Sequence, residues 1–234
     1  MGKYSHLAWP MYAYAFLKVP DPSAKLPMGI ESASTLVVCN QIAALVEPDL
    51  AVDDLRESDE RLVRAVVDHD RVIQELFTIT TVLPLRFGTV FLSEQHLMEH
   101  LHDRQAHYSA QLERLEGKAE YLVKLQPLPF PQDNPESETQ TGRKYFLAKK
   151  QRYQAQTQYK QQQQQELDDY VERLRQQGLE VLQGEGDDEV ERLYILGDRP
   201  QSADTMQPLP DQVEQYTTWQ IAVGDPLPPY HFVS

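Results

Sequence analysis

Four histidines, His96, His100, His102 and His107, crowd into one short stretch, and His96 and His100 stand one helical turn apart. Two imidazoles at that spacing could share a metal ion, but a zinc site of the His-Glu-x-x-His kind needs Glu after the first histidine, where this chain has Leu97. The single cysteine, Cys39, is far away in sequence, so these histidines read as a solvated helix face. His69 falls on the apolar stripe of another helix and reads as a core histidine satisfied by its neighbours. The acidic pairs Asp53-Asp54, Asp168-Asp169 and Asp187-Asp188 fall at turns or on polar helix faces. Gly184-Glu185-Gly186 lacks the strand-to-helix context and the lysine of a phosphate loop, and no Gly-x-Ser-x-Gly elbow occurs. Nucleophile, base and orienter are nowhere assembled. The expectation is a protein that is not an enzyme and that holds neither cofactor nor metal.

One charged residue resists that bland reading. Arg86 stands inside the apolar run Val82-Leu83-Pro84-Leu85-Arg86-Phe87-Gly88-Thr89-Val90-Phe91. Pro84 cannot donate to a sheet ladder and belongs at an edge, a strand start or a bulge. Gly88 permits a turn that a side chain would resist, and Ser93 offers an N-cap to a following helix. The segment therefore predicts a short strand ending in a sharp turn into a helix. Arg86 reads first as an internal guanidinium whose hydrogen bonds to carbonyls hold that corner. The second reading makes it a partner contact framed by Leu85 and Phe87, a composition that interface hot spots favour.

The elements that must position these residues follow from periodicity. Met11 to Leu17 predicts a strand, Val19 to Pro27 a loop, and Ser34–Cys39 and Gln41–Val46 two strands turned at Asn40. A helix capped by Ser58 carries Leu62, Ala65, Val66, His69, Val72, Ile73, Leu76 and Phe77 on one stripe. The order β-β-β-α-β calls for a small antiparallel sheet with a helix on one face. Ser93 then opens one long helix with Leu97, Leu101, Tyr108, Leu112 and Leu115 inward and Gly117 past its end.

Glu120 to Leu125 is the next strand, and Gln132 to Thr141 reads as polar loop. From Arg143 to Gln177 there is neither Gly nor Pro, which predicts a helix of roughly 50 Å. Its seven-residue series Phe146, Tyr153, Lys160, Leu167, Leu174 is interrupted by Lys160 and the run Gln161–Gln165, so the helix should pack at both ends and be solvated between. A hairpin around residues 184–188, a loop from Pro200 to Pro210, a short helix near Asp211 and a last strand at Trp219, Ile221 and Val223 complete the chain. The proline-rich tail must lie on a surface, pinned by Tyr230 and Phe232. The fold class is α+β in two domains, 1–92 and 93–234, the second an α+β domain with a long helix at about 143–177.

Composition bounds the partners. With 234 residues, 41% of them hydrophobic, the chain can bury one large core or two small ones. A formal charge of -14 argues against nucleic acid and against an anionic membrane surface. Cys39 alone excludes an intramolecular disulfide and reads as a buried strand thiol. No signal-like or membrane-spanning run is visible, so a cytoplasmic location is expected.

The string from Val82 to Phe91 closely resembles the hallmark of the GvpF/GvpL family of gas vesicle proteins. Gly224-Asp225-Pro226-Leu227-Pro228-Pro229-Tyr230-His231-Phe232-Val233 is similar to the family's closing Gly-x-Pro-x-Pro-Pro-Tyr-x-Phe pattern, with Leu227 where many members carry Trp. Between them, Gly117 to Lys124 resembles the family's strand after the middle helix. The resemblance implies that the N-terminal domain is ferredoxin-like, one of its helices being short or replaced by loop. It implies a minor structural or accessory protein of gas vesicles that binds the hydrophobic shell protein GvpA, with other gas vesicle accessory proteins as further partners, and assists vesicle nucleation or assembly. The alternative is a regulatory module whose ferredoxin-like domain holds a small ligand. The candidate structural or partner-contact residues are Pro84, Leu85, Arg86, Phe87 and Gly88 in the first string and Pro229, Tyr230 and Phe232 in the tail.

Overall fold

The computed structural model describes residues 10–131, 142–185, 190–200 and 215–233. The expected polar loop at 132–141, the short helix near Asp211 and nearly all of the 200–210 loop lie outside them. The chain forms two compact units, Met1–Glu120 with Pro226–Ser234, and Tyr121–Asp225.

In the first unit the aromatic run forms β1 (Met11–Lys18), followed by β2 (Thr35–Cys39) and β3 (Ile42–Pro48). Asn40, at φ 56°, makes the turn between β2 and β3. A short α1 (Val52–Leu55) precedes α2 (Asp59–Ile79), whose first turn is capped by Ser58 accepting from the Arg61 N–H. The hallmark string supplies β4 (Val82–Pro84) and β5 (Val90–Phe91). The sheet order is β2-β3-β1-β4, with β5 also on β1, and β1 runs antiparallel to β3, β4 and β5. That is the strand order of a ferredoxin-like sheet, with the connection from β1 to β2 made by loop instead of helix.

The loop needs its own anchor, and Glu47 provides it. This fully buried carboxylate accepts the backbone N–H groups of Ile30 at 2.7 Å, Glu31 at 2.9 Å and Ser32 at 2.5 Å, together with the Tyr14 hydroxyl. Gly29 is required beside it, because a Cβ there would fall 2.2 Å from a Glu47 oxygen.

A strand covered on one face alternates buried and exposed residues. In β1 the residues from Met11 to Leu17 are all buried, so both faces are covered. Helices α2 and α4 both reach it. The helix expected from Ser93 to Leu115 is broken at Arg104 into α3 (Glu94–Asp103) and α4 (Gln105–Arg114). The predicted inward leucines nevertheless pack, and Tyr108 stacks obliquely on Phe16 with ring centroids 4.7 Å apart. Because α3 and α4 contact the strands of this sheet, the division expected at residue 92 falls instead at residue 120, and the tail belongs to the first unit.

In the second unit β6 (Lys118–Pro127, whose first residues belong to the first unit), α5 (Arg143–Gln176), β7 (Glu180–Gln183), β8 (Glu191–Asp198) and β9 (Trp219–Val223) form an antiparallel sheet with one long helix, in the order β7-β8-β6-β9. The C-terminal part of α5 buries Leu167, Tyr170, Val171 and Leu174. Its N-terminal part does not pack as expected: Phe146 and Tyr153 are 71% and 72% exposed. The glutamine-rich middle is also tied down. The Gln163 side chain donates to the Leu128 carbonyl at 2.9 Å, its backbone carbonyl accepts the Trp219 indole N–H at 2.8 Å, and Glu166 accepts both the N–H and the hydroxyl of Thr218.

Candidate functional site

The hallmark string is an edge strand interrupted by a turn. Pro84 pairs with Ala15 at the sheet edge, where its missing N–H costs nothing, and Leu85 N–H still donates to the Tyr14 carbonyl at 2.9 Å. Arg86, Phe87, Gly88 and Thr89 then form a turn closed by the Thr89 N–H on the Arg86 carbonyl at 3.1 Å. Gly88 occupies its third position at φ 84°, the left-handed conformation that a type II turn demands there. The chain rejoins β1 at Val90 instead of entering a helix directly, so the single strand-to-helix corner expected from sequence is two short strands with a turn between them.

Arg86 does not hold this turn. It is exposed, and its guanidinium makes no hydrogen bond or ion pair among the described residues. The internal-guanidinium reading is therefore wrong, and the reason lies across the sheet. His69, 5% exposed, places Nε2 3.1 Å from the Leu85 carbonyl, and its Nδ1 lies 2.8 Å from the Tyr12 hydroxyl. A carbonyl can only accept, so Nε2 carries the proton and the Tyr12 hydroxyl donates to Nδ1. Tyr12 Oη in turn accepts the Gly88 N–H at 3.3 Å. Both ends of the turn are thereby held by one neutral imidazole and one phenol, and Phe87 packs against the same two rings. Burial pushes the His69 pKa down, against the Leu85 hydrogen bond and the Asp70 charge. With the inward positions filled in this way, Arg86 faces out.

The tail returns to the same region. Leu227 exchanges two backbone hydrogen bonds with Glu120, and the His231 N–H donates to the buried Glu120 carboxylate at 2.8 Å. Arg114 donates to the Phe232 carbonyl. Tyr230 donates to Asp70 of α2, and burial, followed by that bond, raises its phenol pKa. Pro229 and Phe232 are buried and serve as anchors, so neither offers a partner surface.

Between α2, the turn, α4 and the tail runs an open groove of about 1160 Å³. Pro84, Leu85, Arg86, Phe87 and Tyr230 all line it, whereas Gly88, Pro229 and Phe232 are not among its lining residues. One wall is Val66 and Val67 of α2, 43% and 63% exposed. Sequence periodicity placed Val66 in the core, and Val67, Arg104 and Tyr108 gave no signal as groove residues. Only the approach of α4 to the β4 edge makes them so.

Comparison with known proteins agrees with this architecture. A curated gas vesicle protein F of Streptomyces sp. (strain CB03234) is 31% identical over 117 residues, which is 48% of this chain and 47% of the relative, so the match spans about half of each. The crystal structure of the gas vesicle protein GvpF from Anabaena sp. PCC7120 superposes with a TM-score of 0.68 over 97% of this chain and 98% of its own, at 16% identity. That of GvpF from Microcystis aeruginosa gives 0.66 over 96% and 99%, also at 16% identity. At such identities the likeness is one of fold. The family model described as gas vesicle synthesis protein GvpL/GvpF matches residues 10–234, and this chain belongs to that family.

Proposed function

We propose that this chain is an accessory protein of gas vesicles that binds the hydrophobic shell protein GvpA and assists vesicle nucleation or assembly, with its groove as the docking surface. The observation that carries the reading is the convergence of the hallmark turn and the proline-rich tail on one open apolar groove. A shell protein that builds a water-excluding wall exposes apolar surface before it assembles. A partner that covers this surface suppresses aggregation by mass action. The groove is open, and larger than the 300–1,000 Å³ of ordinary small-molecule pockets, which favours a macromolecular occupant over the small-ligand module. No helix among the described residues is long and apolar enough to cross a membrane.

The test is capture of purified shell protein by the full chain, beside a thermal-shift panel of nucleotides and metabolites. Binding of the shell protein with no thermal shift from the panel supports the reading. A saturable shift from a small molecule, with no capture of the shell protein, overturns it in favour of the ligand-binding module.

A further inference from the structure

The groove has a local charge opposite to that of the protein. The chain carries -14 overall, yet Arg86 and Arg104 lie on the groove and Asp70 is the only acid among its lining residues. Asp70 is already occupied by the Tyr230 hydroxyl. Neither arginine has an ion pair among the described residues, although α2 and α3 carry many carboxylates. Exposed Val66 and Val67 supply apolar surface beside them. β-branched residues are mediocre helix formers, and here burial does not compensate.

We propose that the groove receives an amphipathic helix of its partner whose apolar face is flanked by carboxylates, the apolar side chains lying over Val66, Val67, Leu85 and Phe87 and the carboxylates meeting Arg86 and Arg104. This is a helix-in-groove interaction, in which apolar anchors supply affinity and the arginines select the flanking charge and fix orientation. Guanidinium groups suit the task because each presents a planar fork of donors that matches a carboxylate. The assignment rests on the reading of the groove as a docking surface, but not on the shell protein being its occupant.

The experiment uses the full chain and three fluorescent helical peptides with identical leucines at i, i+3, i+4 and i+7, flanked by Glu, by Gln or by Lys. The Glu peptide should bind about three- to tenfold more tightly than the Gln peptide, as two solvent-exposed pairs allow, and the Lys peptide more weakly than either. The preference should shrink as salt rises. In the double variant R86E/R104E, with thermal stability unchanged because both side chains are exposed, the order should invert in favour of the Lys peptide. Equal affinity for all three peptides, or a Glu preference that survives the double variant, overturns the proposal. Capture of the shell protein together with equal affinity for all three peptides overturns it while leaving the proposed function standing. Peptide selection as predicted, without shell-protein capture, does the reverse.

Discussion

His69 Nε2 lies 3.1 Å from the carbonyl oxygen of Leu85, sixteen residues along the chain, and this contact decides which way the hallmark turn faces. It fixes the imidazole tautomer, orients the Tyr12 hydroxyl that receives the Gly88 N–H, and leaves Arg86 with no internal role. His69→Ala should therefore destabilise the first unit by about 2–4 kcal/mol, from one orphaned carbonyl, one orphaned phenol and a cavity beside Phe87. Urea unfolding of the variant measures this. A loss below about 1 kcal/mol would mean that the turn is held by something else.

The same contact makes stability depend on pH in a definite direction. Burial holds the folded His69 pKa below its ordinary value, so the unfolded chain takes up the proton first as pH falls. The contribution of His69 is constant above the unfolded pKa of about 6.5 and is lost progressively as pH falls from there through the folded pKa. Protonation also abolishes the bond that Nδ1 accepts from Tyr12. Thermal melts between pH 7.5 and 5 should show a falling midpoint, with a shallower slope in His69→Phe than in the parent. Parallel slopes would remove His69 from the account.

Arg86→Ala should leave stability within about 0.5 kcal/mol, because exposed side chains away from special features rarely matter more. Its loss should appear in partner binding. A fall of several degrees in the melting midpoint would return the guanidinium to the structural role that composition suggests for it.

Glu47→Gln should cost about 2 kcal/mol or more. It keeps the size of the side chain but turns one of two accepting oxygens into a donor facing the N–H groups of the 30–32 loop. Amide exchange at Ile30, Glu31 and Ser32 should accelerate before that of β1. Unchanged protection at these three amides would show that the loop does not depend on the carboxylate.

Much of this molecule is local in origin, and that part is legible in the residues alone. The 3.6-residue stripe of α2, the caps at Ser58 and Ser93, the left-handed glycines at 88, 117 and 178 and the alternation of β9 depend on neighbours within a few positions. Residue chemistry was also enough to expect Pro84 at an edge and Phe232 as an anchor, although the contacts that realise them come from Ala15 and Arg114. The strings around Arg86 and Tyr230 were also enough to point to the family. Tertiary structure decided the rest, since each remaining outcome depends on residues distant in sequence. Arg86 faces out because His69 and Tyr12, seventeen and seventy-four positions away, already satisfy the turn. Phe146 and Tyr153 look like a packing seam by spacing, yet are exposed. Val66 becomes a groove wall because the sheet edge and α4 leave a gap beside it. A periodic pattern states which side chains share a face. Whether that face is covered depends on the other elements that fold against it.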